Sequence, residues 1–380
     1  MSASETREIV ARSTAADPVE ALRDTLSEIL AGLVAAGCGP HHLTGMDWES
    51  VDPAAFHLSR HTVELAYREV FAGFRPPIQL RTGSEPGLTI RACHAMPQPL
   101  PDIEVEGYPL RELGRQYSPR LQADMTALFR RWSKDGAAFR AGHAGLDLAY
   151  GPGRFETLDL YRPAGVRRAP IFVFIHGGYW QALDPSFFSH MARGLNLRGV
   201  PVAVAGYDLC PEVEVGHIVW ELQQAAAAIW RRYNLPVVAA GHSAGGQLSA
   251  CLLATDWSNV DAKLPEHVVT AAYGISGLYN LKPLTETSIN KALGLTLEGA
   301  ERESPLFWPA PSGLVMDAVV GGAESAEYLK QSRRLTDIWG LEGVRTRYEE
   351  IDGANHFTVL ETIPDPDSAM TRRIAELAGA

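Results

Sequence analysis

Cysteine is scarce. The four cysteines among 380 residues (Cys38, Cys93, Cys210, Cys251) show no CxxC spacing. That leaves no density for a disulfide scaffold and predicts a reducing, cytoplasmic home. Long apolar runs are missing too: Ala169 to Ile175 and Pro236 to Ala240 are strand-length, against the ~20 residues of a membrane span. Positive charge is short, with Lys+Arg 34 against Asp+Glu 45 and a net charge of −11. This argues against a nucleic-acid backbone or an anionic membrane as partner. The first twenty residues mix acids with bases and hold no apolar stretch, unlike a secretory signal. No P-loop or dinucleotide fingerprint occurs, so no cofactor is expected, and neither an internal repeat nor a low-complexity tract is present. His41, His42, His57 and His61 cluster in the sequence. No cysteine or acidic set completes a ligand sphere, so no metal is expected there.

What the chain has is apolar residues in pattern. It is 46% hydrophobic and 21% charged, enough for a real core, and its length suits two domains. In PVEALRDTLSEILAGLVAAG, Leu22, Leu26, Ile29, Leu30 and Leu33 recur at helical spacing, with Gly37 as the stop. A second helix is predicted in PAAFHLSRHTVELAYREVFAGF, followed by short strands IQLRT and LTIRACHA. MPQPLPDIEVEGYP holds four prolines in fourteen residues, which predicts a linker over 97–109 between a domain at 1–96 and another at 110–380. Beyond it strands alternate with helices: FETLDLYRP, APIFVFIHGG, helix 184–198, VPVAVAGYDL, helix 215–233, PVVAAGHS, helix 244–254 and HVVTAAYGIS. GLVMDAVVGG, helix 325–340, VRTRYEEID and a helix near 367–378 complete the series. This alternation predicts an α/β fold, a mostly parallel sheet with helices on both faces. The stretch 281–312 interrupts it as an insertion.

The sharpest motif is Gly241-His242-Ser243-Ala244-Gly245, between an apolar strand and an apolar helix. A serine on that turn is projected above the sheet, and the glycines allow strand and helix to approach. A serine hydroxyl needs a base, itself oriented by a carboxylate, and in this architecture the order is Ser, acid, His. His356, in DGANHF, follows the last strand and is the expected base; His267 opens a strand and is expected to point into the sheet. Glu324, after Gly321-Gly322, is the expected acid. Asp317 lies inside the preceding strand and Asp352 too close to His356 along the chain. His176-Gly177-Gly178-Tyr179-Trp180 follows a buried strand, where its N–H groups can face a developing oxyanion. Gly178, Tyr179 and Ala244 are the expected donors. Trp180, His242, Phe307 and Trp308 are candidates to line a substrate site.

HGGYWQ, YDLCPEV, GHSAGGQL, GISGLYNLKPL and NHF together resemble the kynurenine formamidases (arylformamidases), an α/β-hydrolase family. The resemblance runs from about Tyr117 to the C-terminus, through AYG at 149–151 and LDLYRPAG at 158–165. It implies a metal-independent hydrolase of N-formyl aromatic amines, with Ser243 and His356 at the family's catalytic positions. Glu324 stands where the family has an aspartate. A carboxylesterase, or an amidohydrolase degrading a nitrogen-containing aromatic compound, is the alternative reading. A binding protein on a disused hydrolase fold is disfavoured by the intact Ser, acid, His order.

VEALRDTLSEILAGLVAAGCGPHHL with VELAYREVFAGFRPPIQL and LTIRACHAM is similar to the later part of the RidA (YjgF-type) deaminases. The carboxylate-binding arginine of that family falls near Pro77, which implies a non-catalytic domain. The apolar stripe over 18–36 is too broad for a lone solvated helix, which predicts an oligomerisation or lid-like element and a homo-oligomer.

Overall fold

The computed structural model describes residues 6–36, 38, 43–52, 66, 70–71, 76–95, 104–105, 107–119, 126–143, 146–163 and 169–379. The chain divides into two compact units, Met1–Arg131 and Trp132–Ala380.

In the first unit, β1 (Thr6–Ser13), α1 (Pro18–Ala35), β2 (Leu43–Ser50), β3 (Ile78–Thr82) and β4 (Leu88–Ala95) follow in order. The strands form one sheet, β1-β4-β2-β3. The Asp17 carboxylate accepts the N–H groups of Val19 and Glu20, and Pro18 opens the helix, the usual chemistry of a helix start. Leu22, Leu26, Ile29 and Leu33 are buried in one cluster with Met46, Trp48, Ile90 and Ala92; each such side chain contributes ~1.5–3 kcal/mol. A Cβ at Gly32 would lie 2.9 Å from Ile9 Cγ2, so α1 passes close over β1. The apolar stripe is thus covered by the unit's own sheet. β1 and β2 were not expected from the sequence. Of the expected second helix only Ala66, Val70 and Phe71 are described, each helical; His41, His42, His57 and His61 lie outside the described residues. A small hairpin, β5 (Glu104–Val105) with β6 (Tyr108–Pro109), occupies the proline-rich stretch and leads into α2 (Leu110–Gln116).

The helix α3 (Thr126–Ala141) carries the chain into the second unit. There β7 (Leu148–Ala149), β8 (Thr157–Tyr161), β9 (Ile171–Ile175), β10 (Val202–Ala205), β11 (Val237–His242), β12 (Val269–Ile275), β13 (Val315–Gly321) and β14 (Arg345–Ile351) form one sheet. Its order is β14-β13-β12-β11-β9-β10-β8-β7. β9 to β14 run parallel, and β7 and β8 are antiparallel at one edge. The connecting helices include α4 (Ala192–Leu197), α5 (Val215–Tyr233) and α6 (Ala244–Leu253). Short helices α7 (Trp257–Val260), α8 (Asn290–Leu293) and α9 (Leu297–Arg302) precede the long α10 (Ala326–Leu341) and the final α11 (Ala369–Leu377). Every residue of β9, β10 and β11 is buried, as expected of strands covered on both faces. Asp317 lies within β13, where its carboxylate pairs with Arg373 at 2.7 Å. His267 precedes β12 and is exposed beside Glu266, contrary to the expected inward orientation, because the strand begins only at Val269. Among the described residues no helix is long and apolar enough to cross a membrane.

Candidate active site

Successive strand ends carry the site. The Ser243 N–H donates to the Ile275 carbonyl at 2.8 Å, the Ser276 N–H to that of Val319 at 2.7 Å, and the Gly322 N–H to that of Ile351 at 2.8 Å. Each bond extends a parallel pairing by one step past the strand end. Ser243, Ser276 and Glu324 are thereby set in a row along the carboxyl edge of β11, β12 and β13.

Ser243 sits at φ +58° and ψ −116°, capping α6. L-residues seldom adopt that backbone, and the surroundings enforce it. A Cβ at Gly241 would lie 2.1 Å from the Gly245 carbonyl oxygen, and one at Gly245 would lie 2.1 Å from that of Ile175. Strand β11, helix α6 and strand β9 can pack this closely only with hydrogen at both positions.

The β13–α10 and β14–α11 loops meet just as closely. A Cβ at Gly321 would stand 2.4 Å from the Ala354 carbonyl oxygen, and the Ala323 N–H donates to that oxygen at 2.9 Å. Asn355 Oδ1 accepts the N–H groups of Phe357 and Thr358, which fixes the turn around His356. Across this junction His356 Nδ1–H donates to Glu324 Oε2 at 2.6 Å, with both side chains buried. The carboxylate selects the tautomer and leaves Nε2 with its lone pair. The other carboxylate oxygen, Oε1, accepts the Gly321 N–H at 2.7 Å and the Ser276 hydroxyl at 2.5 Å.

His242, next to Ser243, ties the serine turn to the His356 loop. Its Nε2–H donates to the His356 carbonyl at 2.6 Å, and the two rings lie 4.6 Å apart. Burial, followed by the neighbouring His356, holds its pKa well below the usual histidine range, so it is neutral. Expected as a substrate contact, His242 is instead buried and engaged with backbone.

The glycine-rich turn after β9 brings Gly178 (φ +117°), Tyr179 (φ +52°) and Trp180 (φ +56°) one after another into left-handed backbone. Tyr179 Oη lies 2.6 Å from Tyr328 Oη, and the Tyr328 ring is 4.4 Å from the His356 ring. Burial raises the Tyr179 pKa, so the phenol stays protonated. Trp180 is fully buried. Its indole N–H donates to Gln247 Oε1 at 3.0 Å, and Gln247 Nε2 donates to the Glu303 carbonyl at 2.8 Å. The turn is thus pinned to the first helix turns behind the serine. Phe307 is exposed, with Lys282 Nζ 4.7 Å from its ring centre. Trp308 donates its indole N–H to Arg302 and lines a groove with Trp220, Gln223 and Asn259. The structure therefore gathers Ser243, His242, Glu324, His356, Gly178, Tyr179 and Ala244 at one end of the sheet, packs the Trp180 side chain against α6 behind them, and engages Phe307 and Trp308 elsewhere. Ser276, Tyr328 and Gln247 were not anticipated. GISG and HSAGGQ contain two of them, but only the packing shows where their polar atoms point.

A kynurenine formamidase of Salmo salar is 32% identical over 290 residues, spanning 70% of this chain and 96% of the relative. The chain belongs to the kynurenine formamidase family. Another kynurenine formamidase, from Drosophila melanogaster, is 31% identical over 237 residues, covering 59% of this chain and 78% of its own. Among solved structures, a Silicibacter protein provisionally described as a thioesterase superposes with a TM-score of 0.62 at 34% identity. It covers 71% of this chain and 99% of its own. No protein-family model matches the chain. The family relationship and the sheet together make the chain a serine hydrolase of the α/β-hydrolase fold.

Proposed function

We propose that the protein hydrolyses the C–N bond of an N-formyl aromatic amine, N-formylkynurenine being the first substrate to test. The observation that carries the reading is the buried 2.6 Å contact of His356 Nδ1 with Glu324 Oε2, held beside the strained Ser243 turn by His242. In this mechanism His356 Nε2 takes the Ser243 proton as Oγ attacks the formyl carbon, and Glu324 stabilises the imidazolium. The oxyanion is met by the N–H groups of Gly178, Tyr179 and Ala244; Ala244 opens a helix, so its N–H has no intrahelical acceptor. His356 then protonates the leaving nitrogen, the amine departs, and water releases formate from Ser243 by the same route. Ser243→Ala is expected to lower kcat by at least ~10³-fold with an unchanged circular dichroism spectrum; near-native turnover in that variant would sink the proposal.

An esterase or thioesterase activity is the second reading, favoured by the 34% identity to the Silicibacter protein. Relative kcat/KM for N-formylkynurenine and p-nitrophenyl acetate separates the two, since a formamidase favours the first.

For the N-terminal unit we propose a RidA-derived, non-catalytic domain. Support comes from the sequence resemblance and from the β-α-β order followed by β3 and β4. Pro77 stands where the resemblance places the substrate arginine. The full chain is then expected to leave the hydrolysis rate of an enamine substrate unchanged; a measurable acceleration would contradict this.

A further inference from the structure

We propose that Ser276 is a positioning residue, the one that lets a glutamate rather than an aspartate orient the base. This rests on the triad read above. A glutamate carries one more methylene and one more rotatable bond than an aspartate, so its carboxylate has more freedom to lose before it can hold His356. Two donors restrain Oε1. The Gly321 N–H belongs to the last residue of β13, three residues before Glu324 on the same stretch of chain. The Ser276 hydroxyl, at 2.5 Å, comes from the end of β12, the neighbouring strand. Among the described contacts it is the link that ties the carboxylate to a second strand, so that Glu324 is held from β12 as well as from its own β13.

The backbone at Ser276 supports the same assignment. It is fully buried at φ +52°, where glycine costs less than any residue with a Cβ. Gly277 follows directly, but position 276 itself keeps a side chain. That side chain ends in a hydroxyl that donates to Glu324. The cost in backbone strain is offset by a hydrogen bond to the carboxyl group that holds His356.

The ionisable groups facing His356 are Glu324 on the β13–α10 loop, His242 on β11 and Tyr328 on α10, which itself meets Tyr179. Removing the Ser276 hydroxyl touches the first of these alone. A carboxylate that loosens stabilises the imidazolium less, so the ascending limb of the kcat/KM–pH profile moves to lower pH as kcat falls. Loss of a purely electronic effect would do the opposite, since a carboxylate with one donor fewer is the stronger base.

The test measures Ser276→Ala and Ser276→Gly, each in the native and the Glu324→Asp background, on N-formylkynurenine and p-nitrophenyl acetate. Ser276→Gly relieves the left-handed strain and so remains informative if the alanine variant folds poorly; urea midpoints report folding for both. In the native background kcat is expected to fall ~10-fold or more with KM within about twofold. The ascending limb should drop by about half a pH unit or more. In the Glu324→Asp background, where the shorter side chain does not span both partners, the same substitutions should cost less than ~3-fold. Equal losses in the two backgrounds, or a limb that stays or rises, would overturn the assignment. Glu324→Gln separates this from the broader reading. If that variant is crippled while the Ser276 variants are not, only Ser276 loses its role; if it keeps near-native rates, the triad itself is wrong.

Discussion

At Gly178 the backbone turns at φ +117°, and a Cβ there would lie 2.2 Å from the Ala182 carbonyl oxygen. Gly178→Ala therefore forces the turn to open and draws N–H groups away from the carbonyl to be attacked. The expected result is a fall in kcat of ~10²–10³-fold, the range seen when one oxyanion donor is removed. Fluorophosphonate labelling of Ser243 should still be detectable, because the nucleophile and base are untouched; unaltered kcat in a folded variant would mean that the turn has no such role. The positions of Ser243, His356 and the Gly178 turn at the strand ends were legible in the sequence, because the proposed chemistry demands a type at a place. Residues were not legible where geometry decides. His242 has an aromatic face and two nitrogens that suit a substrate, but β11 turns it toward the His356 carbonyl. Trp180 looked like a pocket wall and is a buried brace held by Gln247.

Elements were read best in the second unit. Strands buried on both faces appear as short apolar runs, and the helices between them as periodic ones, so α5 begins at Val215 and ends at Tyr233 as the periodicity predicts. The first unit lost two strands. β1 exposes Arg7, Glu8 and Arg12 along one edge of its sheet, so no apolar alternation marks it. In β2 the inward residues Met46 and Trp48 alternate with Asp47 and Glu49 over only four positions, and Gly45 breaks the run. What no pattern announces is how nearly two loops approach. Gly321 sits where the β13–α10 loop touches Ala354, with room for hydrogen and nothing larger. Gly321→Ala is expected to push Glu324 and His356 apart. It should lower kcat/KM ~10-fold or more while shifting the urea midpoint much less than a core truncation does. Equal loss of stability and activity would indicate a merely structural contact.

The second unit carries a pH response on α5, outside the Ser243, Glu324 and His356 set. Glu221, fully buried on α5, has its pKa pushed up to about 7, first by burial and then by Asp208 and Glu156, against the Asp208 N–H and His217, which lower it. An unfolded glutamate titrates near 4.3. Between that pH and about 7 the folded protein keeps a proton that the unfolded chain has released. Stability therefore declines as pH rises through this window, by on the order of 3–4 kcal/mol from this group, and is level on either side of it. Urea midpoints at pH 5 and pH 8 check the sign, and Glu221→Gln should flatten the difference. An identical slope in the variant would assign the effect to other groups.

Ser243 sits in a backbone conformation that glycine adopts freely, enforced by Gly241 and Gly245. The nucleophile is thus the place where folding and turnover pull in opposite directions. Under selection for heat resistance alone, with no demand for hydrolysis, Ser243→Gly is among the first changes to expect, leaving a sturdier molecule that no longer cuts anything.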